Sequence, residues 1–185
     1  MARSSITPSL QAPASHGEIV RHFILHKRHK LHDELAWFAG QASFPRALDE
    51  AVHARDPRGK RLSHQRRLVR HVIPAAFPAL KTISTQLRHS ASFDNLLSQI
   101  EQALSGIPGA GDLYFYDTAL RLGSFLGLYP TRVFLQTGAL KGALRLSRRY
   151  RNRSISLAEF PVAFRALAPF EMENLLCSYE SVLRP

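Results

Sequence analysis

Two groups of residues have the types and spacing to do chemistry. His22, His26, His29 and Asp33 recur at intervals of 4, 3 and 4, which puts them on one face of a continuous helix, and two histidines a turn apart can share a divalent ion through neutral imidazole. One helix seldom aims three ligands at one ion, however. Lys27, Arg28 and Lys30 make the surroundings positive, and no Cys-x-x-Cys or His-Glu-x-x-His accompanies them. The stripe therefore reads as solvated or phosphate-facing, and neither a metal nor another cofactor is expected. The second group is Ile107-Pro108-Gly109-Ala110-Gly111, followed at once by an apolar run from Leu113. Glycines reach backbone angles closed to other residues and let a ligand approach the main chain, and the free N–H groups of a helix start attract anions. Beyond Asp112, which is read as a helix cap, Asp117 is the acid close to this stretch and the candidate for a catalytic base or metal ligand. Its structural alternative is an ion pair with Arg121 one turn on. Cys177, the single cysteine, lies in a helical pattern and is expected to pack as a small apolar residue. No nucleotide-binding Gly-rich loop, Gly-x-Ser-x-Gly elbow or paired carboxylate site occurs.

Charge says what such a backbone site would meet. Lys and Arg number 25 against 14 Asp and Glu, a formal net charge of +11 over 185 residues, and such an excess favours a polyanionic partner. The excess is also segregated. Pro57 to Phe93 contains no acid but includes Arg58, Lys60, Arg61, Arg66, Arg67, Arg70, Lys81 and Arg88. Thr118 to Ala158 is again acid-free, with Arg148, Arg149 and Arg151 around Tyr150. A solvated helix face ordinarily mixes signs through pairs one turn apart, so these windows read as two positive patches. Arginine's planar fork suits phosphate oxygens, His64 and His71 can add donors, and Tyr150 among arginines is suited to stacking a base.

The elements that position these residues are read as helices. Apolar spacing predicts one long helix from Gly17 to about Gln41 and a short one opened by Pro45. Asp56-Pro57-Arg58-Gly59 is a turn signal, after which a basic helix is expected from Ser63 to about Pro74, and another from Ala79 to Leu87. Ser92 is placed as an N-cap, Gly106 as a stop, and Asp112 as the cap of a helix running to Leu126. Pro130 is read as opening a helix that Gly138 interrupts, although Arg132 to Thr137 can also be a short extended piece. Ser156 and Glu159 have capping-box spacing, and Pro169 opens the last helix with Glu171 and Glu173 near its start. The expected fold is all-α: a single helical domain over 16–185 behind a disordered tail at 1–15. No apolar run approaches the roughly 18 residues of a membrane span.

Helix, Ile-Pro-Gly-Ala-Gly, helix resembles the helix-hairpin-helix motif of DNA repair and recombination proteins, over about Leu96 to Leu126. The resemblance implies that Ile107 anchors the hairpin, that Gly109, Ala110 and Gly111 face phosphates through main-chain N–H groups, and that Leu113 opens the second helix. Asp112 departs from the pattern, because family members more often carry a neutral or basic residue there. The glycosylase branch of that family implies a catalytic aspartate some twenty residues beyond the hairpin. No acid lies between Thr118 and Ala158, so that role finds no residue here. The stretches around Gly59 to Arg67 and Tyr116 to Leu128 also resemble uncharacterised bacterial proteins, which implies no activity.

The expectation is a cytoplasmic protein that binds nucleic acid, DNA rather than RNA, through phosphates and without reading sequence, and that has no membrane partner. Two rivals stay open: a nuclease- or glycosylase-like enzyme, and a basic interaction or effector protein that meets an acidic partner.

Overall fold

In Asp112–Leu126, apolar residues recur at helical spacing on every side, and a helix with that pattern has to be enclosed by others. The computed structural model describes residues 14–62, 65 and 68–185, and in it this segment is buried from Tyr114 through Ser124 except for the half-buried Asp117. The expected positions Ser63, His64, Arg66 and Arg67, and the N-terminal segment before Ala14, lie outside the described residues. The fold is all-α. Among the described residues, nine α-helices are accompanied by one antiparallel pair of two-residue strands and one isolated bridge. The chain groups into two compact units, His32–Thr131 and the residues on either side of it.

The central unit is built on α2 (Arg28–Ala39, most of it), α3 (Phe44–His53), α4 (Val72–Thr82), α5 (Ser84–Arg88), α6 (Phe93–Leu104) and α7 (Asp112–Leu126). α7 packs on α6 and α3, and α4 packs on the same two helices. Local signals account for several starts. The Ser43 hydroxyl accepts from the Arg46 N–H, and the Ser92 hydroxyl accepts from the Asn95 N–H at 3.1 Å, each satisfying a donor that the first helical turn leaves over. Gly127, at φ 72°, closes α7, and the Leu128 N–H returns to the Gly123 carbonyl at 2.8 Å.

The flanking unit contains α1 (His16–His26), β1 (Val133–Phe134), α8 (Thr137–Leu146), β2 (Ser154–Ile155) and α9 (Pro169–Ser178), with two 3-10 turns between β2 and α9. Val133 pairs with Ile155 and Phe134 with Ser154. Phe23, Phe160, Phe164, Met172 and Leu176 form its core with Val133 and Ile155. Ser15, expected in a disordered tail, instead caps α1 in a reciprocal capping box with Glu18. The Ser156–Glu159 box forms as well, on a single 3-10 turn.

Several elements differ from the sequence expectation, among them the helix expected from Ala79 to Leu87, which falls partly in α4, running through Pro78 to Thr82, and partly in α5. The first helix breaks at Lys27 into α1 and α2. Beside the break, the Arg28 guanidinium forks onto Glu171, Nε to Oε1 at 2.6 Å and Nη2 to Oε2 at 2.9 Å, a tertiary contact that local periodicity does not encode. Of the segment expected as a basic helix from Ser63, the described residues Leu68 to His71 are not helical, and α4 starts only at Val72. Pro74, read as a stop, is the third residue of that helix, where a missing N–H costs nothing because no carbonyl precedes it in register. Asp112 is the first helical residue of α7 rather than its cap, which is Gly111. Pro130 opens no helix; β1 follows, and α8 begins at Thr137 with Gly138 in its first turn.

Candidate nucleic-acid interface

The stretch between α6 and α7 is a tight turn. The Ile107 N–H donates to Leu104 O at 3.0 Å and the Ala110 N–H to Ile107 O at 3.1 Å. Pro108 stands at the second turn position and Gly109, at φ 83°, at the third, the pattern of a type II turn. Gly111 then takes an extended conformation, φ −128° and ψ 176°, as N-cap of α7. Its carbonyl accepts from Tyr114 N at 2.9 Å and from Phe115 N at 3.1 Å. The Asp112 and Leu113 N–H groups, at the first helical positions, have no carbonyl behind them within the helix. Gly111, Asp112 and Leu113 are all exposed. Of the residues expected to face a phosphate, Ala110 thus directs its N–H into the turn, while Gly111 stands in the open.

Gly109 has a different task. A Cβ there would meet Val69 Cγ2 at 3.2 Å and Val72 Cγ2 at 3.5 Å, so the loop before α4 lies directly on the glycine. The imidazole of His71, expected as a phosphate donor, instead lies 2.7 Å through Nε2 from Pro108 O. That contact requires the proton on Nε2, since the carbonyl only accepts. The two contacts fasten the acid-free basic segment to the hairpin.

The Asp-Pro-Arg-Gly turn forms as expected. Gly59 N donates to Asp56 O at 2.9 Å, and the Asp56 carboxylate accepts from Arg58 N at 2.9 Å and Lys60 N at 2.8 Å. The loop closes on itself through the Arg55–Arg61 bridge. Both bonds to Asp56 use main-chain donors, leaving the Arg58 and Lys60 side chains exposed; Arg61 and Arg70 are exposed too. Arg61 lies close enough to Tyr114 of α7 for its charge to be felt there. Burial nonetheless pushes the Tyr114 phenol up to about 12, and its hydroxyl donates to Val52 O at the end of α3. Arg66 and Arg67 belong to the same segment but are outside the described residues.

Asp117 faces inward. Its carboxylate takes the amide of the buried Gln65 and lies 3.3 Å from Nη2 of Arg121, the one-turn pairing that its spacing predicts. Arg121 is 2% exposed, sits 5.8 Å from the Phe38 ring centre and has Glu34 at 3.8 Å. This is a load of buried charge compensated side by side, as burial demands. It links α2, α7 and the basic segment.

The second patch belongs to the flanking unit and is more internally committed. Tyr150 is 2% exposed, its hydroxyl donates to Glu159 O at 2.7 Å and its ring lies 4.7 Å from Phe160. It is a core residue and presents no face for a base, contrary to the expectation. The Arg149 guanidinium bonds to the Tyr150 hydroxyl and to Glu159 O, both at 3.1 Å. Arg151 reaches back to Arg148 O at 2.9 Å. Arg148, Arg149 and Arg151 are nevertheless exposed.

The histidine stripe is divided by the break at Lys27. His22 and His26 stay together on α1, ring centres 4.5 Å apart, with His22 Nδ1 2.7 Å from the Tyr179 hydroxyl, whereas His29 falls on α2. Among the described residues, no three His, Cys, Asp or Glu side chains are grouped so as to hold a metal ion. Cys177, expected in the core, is exposed. No helix among the described residues is long and apolar enough to cross a membrane. Comparison of the chain with protein families, with curated proteins and with solved structures gives no match.

Proposed function

We propose that the chain binds nucleic acid, DNA in preference to RNA, through phosphates, and that the central unit carries the contact surface. One observation supports this above the rest: the acid-free segment with Arg58, Lys60, Arg61 and Arg70 is fastened to the hairpin that leads into α7, by His71 on Pro108 O and by Val69 and Val72 against Gly109. A helix start with exposed first-turn N–H groups and a cluster of cations recruit the same ligand, an anion held from two sides. Neither part reads bases, so binding is sequence-independent. A cytoplasmic setting fits the single cysteine and the absence of any apolar run long enough to span a membrane.

The test is fluorescence anisotropy with two duplexes of unrelated sequence across a salt series. The expected outcome is equal affinity for both and a linear loss of log affinity with log salt, since each phosphate contact on duplex DNA contributes a slope of about 0.9. Binding that ignores salt, or that separates the two sequences by more than about tenfold, contradicts the reading.

A further inference from the structure

The central unit has a second concave feature, a cavity of about 300 Å³ between α3 and the α4–α5 segment. Its apolar wall is Phe44, Leu48 and Phe77. Each ring is held by another aromatic group, Phe44 by Phe125 at 6.1 Å and Phe77 by His53 at 5.3 Å, so the wall is ordered before any ligand arrives. The lining also includes Lys81 and Arg88, both exposed, and Ser84 and Thr85, which fall between them in sequence. The lining includes no Asp or Glu, and among the described residues no carboxylate pairs with either cation. Aromatic wall, neutral hydroxyls and two uncommitted cations match one kind of ligand: a flat, hydrogen-bonding ring that carries an anion.

We infer that this cavity takes a single nucleotide, its base against Phe44 and Phe77 and its phosphate between Lys81 and Arg88. The inference rests on the reading above that this unit takes nucleic acid. The volume is at the small end of ligand sites, enough for a base and part of its sugar and too small for a base pair. Aromatic stacking accepts any base, and hydroxyls both donate and accept, so the site discriminates little among bases. Its place along the fold connects it to the hairpin. Val72 at the start of α4 lies by Gly109, and Lys81 follows nine residues later, about 14 Å at the helical rise. A strand laid along α4 covers that distance in about four nucleotides. The nucleotide can come from two sources, a free mononucleotide or an unstacked residue of a strand held by the hairpin.

Calorimetric titration with AMP, adenosine and inorganic phosphate separates the parts of the ligand, and anisotropy with a single-stranded oligothymidylate separates the sources. AMP is expected to bind at least about tenfold more tightly than adenosine or phosphate. Lys81→Gln with Arg88→Gln should remove that advantage and leave adenosine unchanged, and Phe77→Leu should weaken AMP and adenosine alike. Both cations are exposed, so the double variant folds; circular dichroism checks this, and checks Phe77→Leu. If AMP binds but the oligomer is indifferent to the Phe77 and Lys81/Arg88 changes, the source is the free nucleotide. If the oligomer also weakens severalfold, the site takes a residue of the strand. Adenosine or phosphate binding as tightly as AMP overturns the inference, as does AMP binding indifferent to both variants. Failure of AMP to bind, with oligomer affinity unmoved by the variants, overturns it too. Duplex binding that keeps its salt dependence in those cases leaves the phosphate surface standing without the pocket. Loss of duplex binding with AMP binding intact removes the phosphate surface and leaves the pocket.

Discussion

Gly109 and Gly111 are two residues apart, and only the first is required by the fold. Gly109 sits at φ 83° with Val69 3.2 Å from where a Cβ would be, whereas Gly111 is extended and has nothing within 4 Å of that position. A side chain at Gly109 meets both backbone strain and a packed neighbour. Gly109→Ala is therefore expected to cost about 1–2 kcal/mol from the left-handed conformation alone, with Val69 adding to it. Gly111→Ser supplies a hydroxyl in the extended conformation that N-caps adopt and should gain roughly a few tenths of a kcal/mol. Thermal unfolding of the two variants checks this, and equal melting temperatures would contradict the geometry. The sequence carried half of this distinction. Pro-Gly marks a turn that needs a residue of positive φ, but only the folded chain shows that Val69, some forty residues earlier, covers the first glycine and not the second.

At the scale of elements, what was legible follows from how local each signal is. Pro45, Ser92, Ser156 and Pro169 mark their starts because a cap or a first-turn proline acts within a few residues. Beside the break at Lys27, Arg28 pairs with Glu171, and the non-helical stretch before Val72 is joined to the hairpin through His71; both partners lie far along the chain, and no window of sequence contains them. Gly138, read as interrupting a helix, instead lies in the first turn of α8. Gly138 and Gly142 are one turn apart on α8 and meet α9 directly: added Cβ atoms would run into Cys177 Sγ and the Leu176 carbonyl. Their spacing was the available signal for a close helix crossing. Gly142→Ala should cost about 3 kcal/mol or prevent folding, since backbone cannot step aside. Gly17→Ala on α1, with open space around it, should gain about 0.5–1 kcal/mol. Denaturant unfolding that finds the two alike would contradict the α8–α9 packing.

The link between α7 and α3 through Tyr114 predicts a pH dependence. Burial disfavours the phenolate and raises the group from its ordinary value of 10.0 to about 12. Between those values the unfolded chain releases the proton while the folded chain holds it. Stability is full below pH 10 and falls as pH climbs towards 12, by about 2–3 kcal/mol. Tyr114→Phe should lower stability at neutral pH by about 1 kcal/mol, because Val52 O loses its donor. It should also flatten the alkaline decline relative to the unaltered protein. Parallel declines in the two proteins would show that Tyr114 does not ionise as its burial requires.

For the whole molecule, the net charge of +11 matters less than where it is absent from ion pairs. On α3 and its C-terminal loop, Arg46 and Arg55 are paired with Glu50 and Asp49, and Arg121 is neutralised inside the central unit. Arg58, Lys60 and Arg70 stand exposed in the acid-free segment beside the hairpin. Composition raises the expectation of a polyanionic partner, and segregation of the acids points to the segment. Which cations remain available could be read only from the folded chain. The most direct measurement repeats the duplex titration with Arg58→Ala, Lys60→Ala and Arg70→Ala combined, beside Arg148→Ala with Arg151→Ala from the flanking unit. If these cations hold phosphates, the triple variant, with an unchanged melting temperature, weakens all duplexes equally and loses up to about 2.7 from the log–log salt slope, more than the double variant loses. A triple variant whose slope equals that of the unaltered protein would contradict that reading.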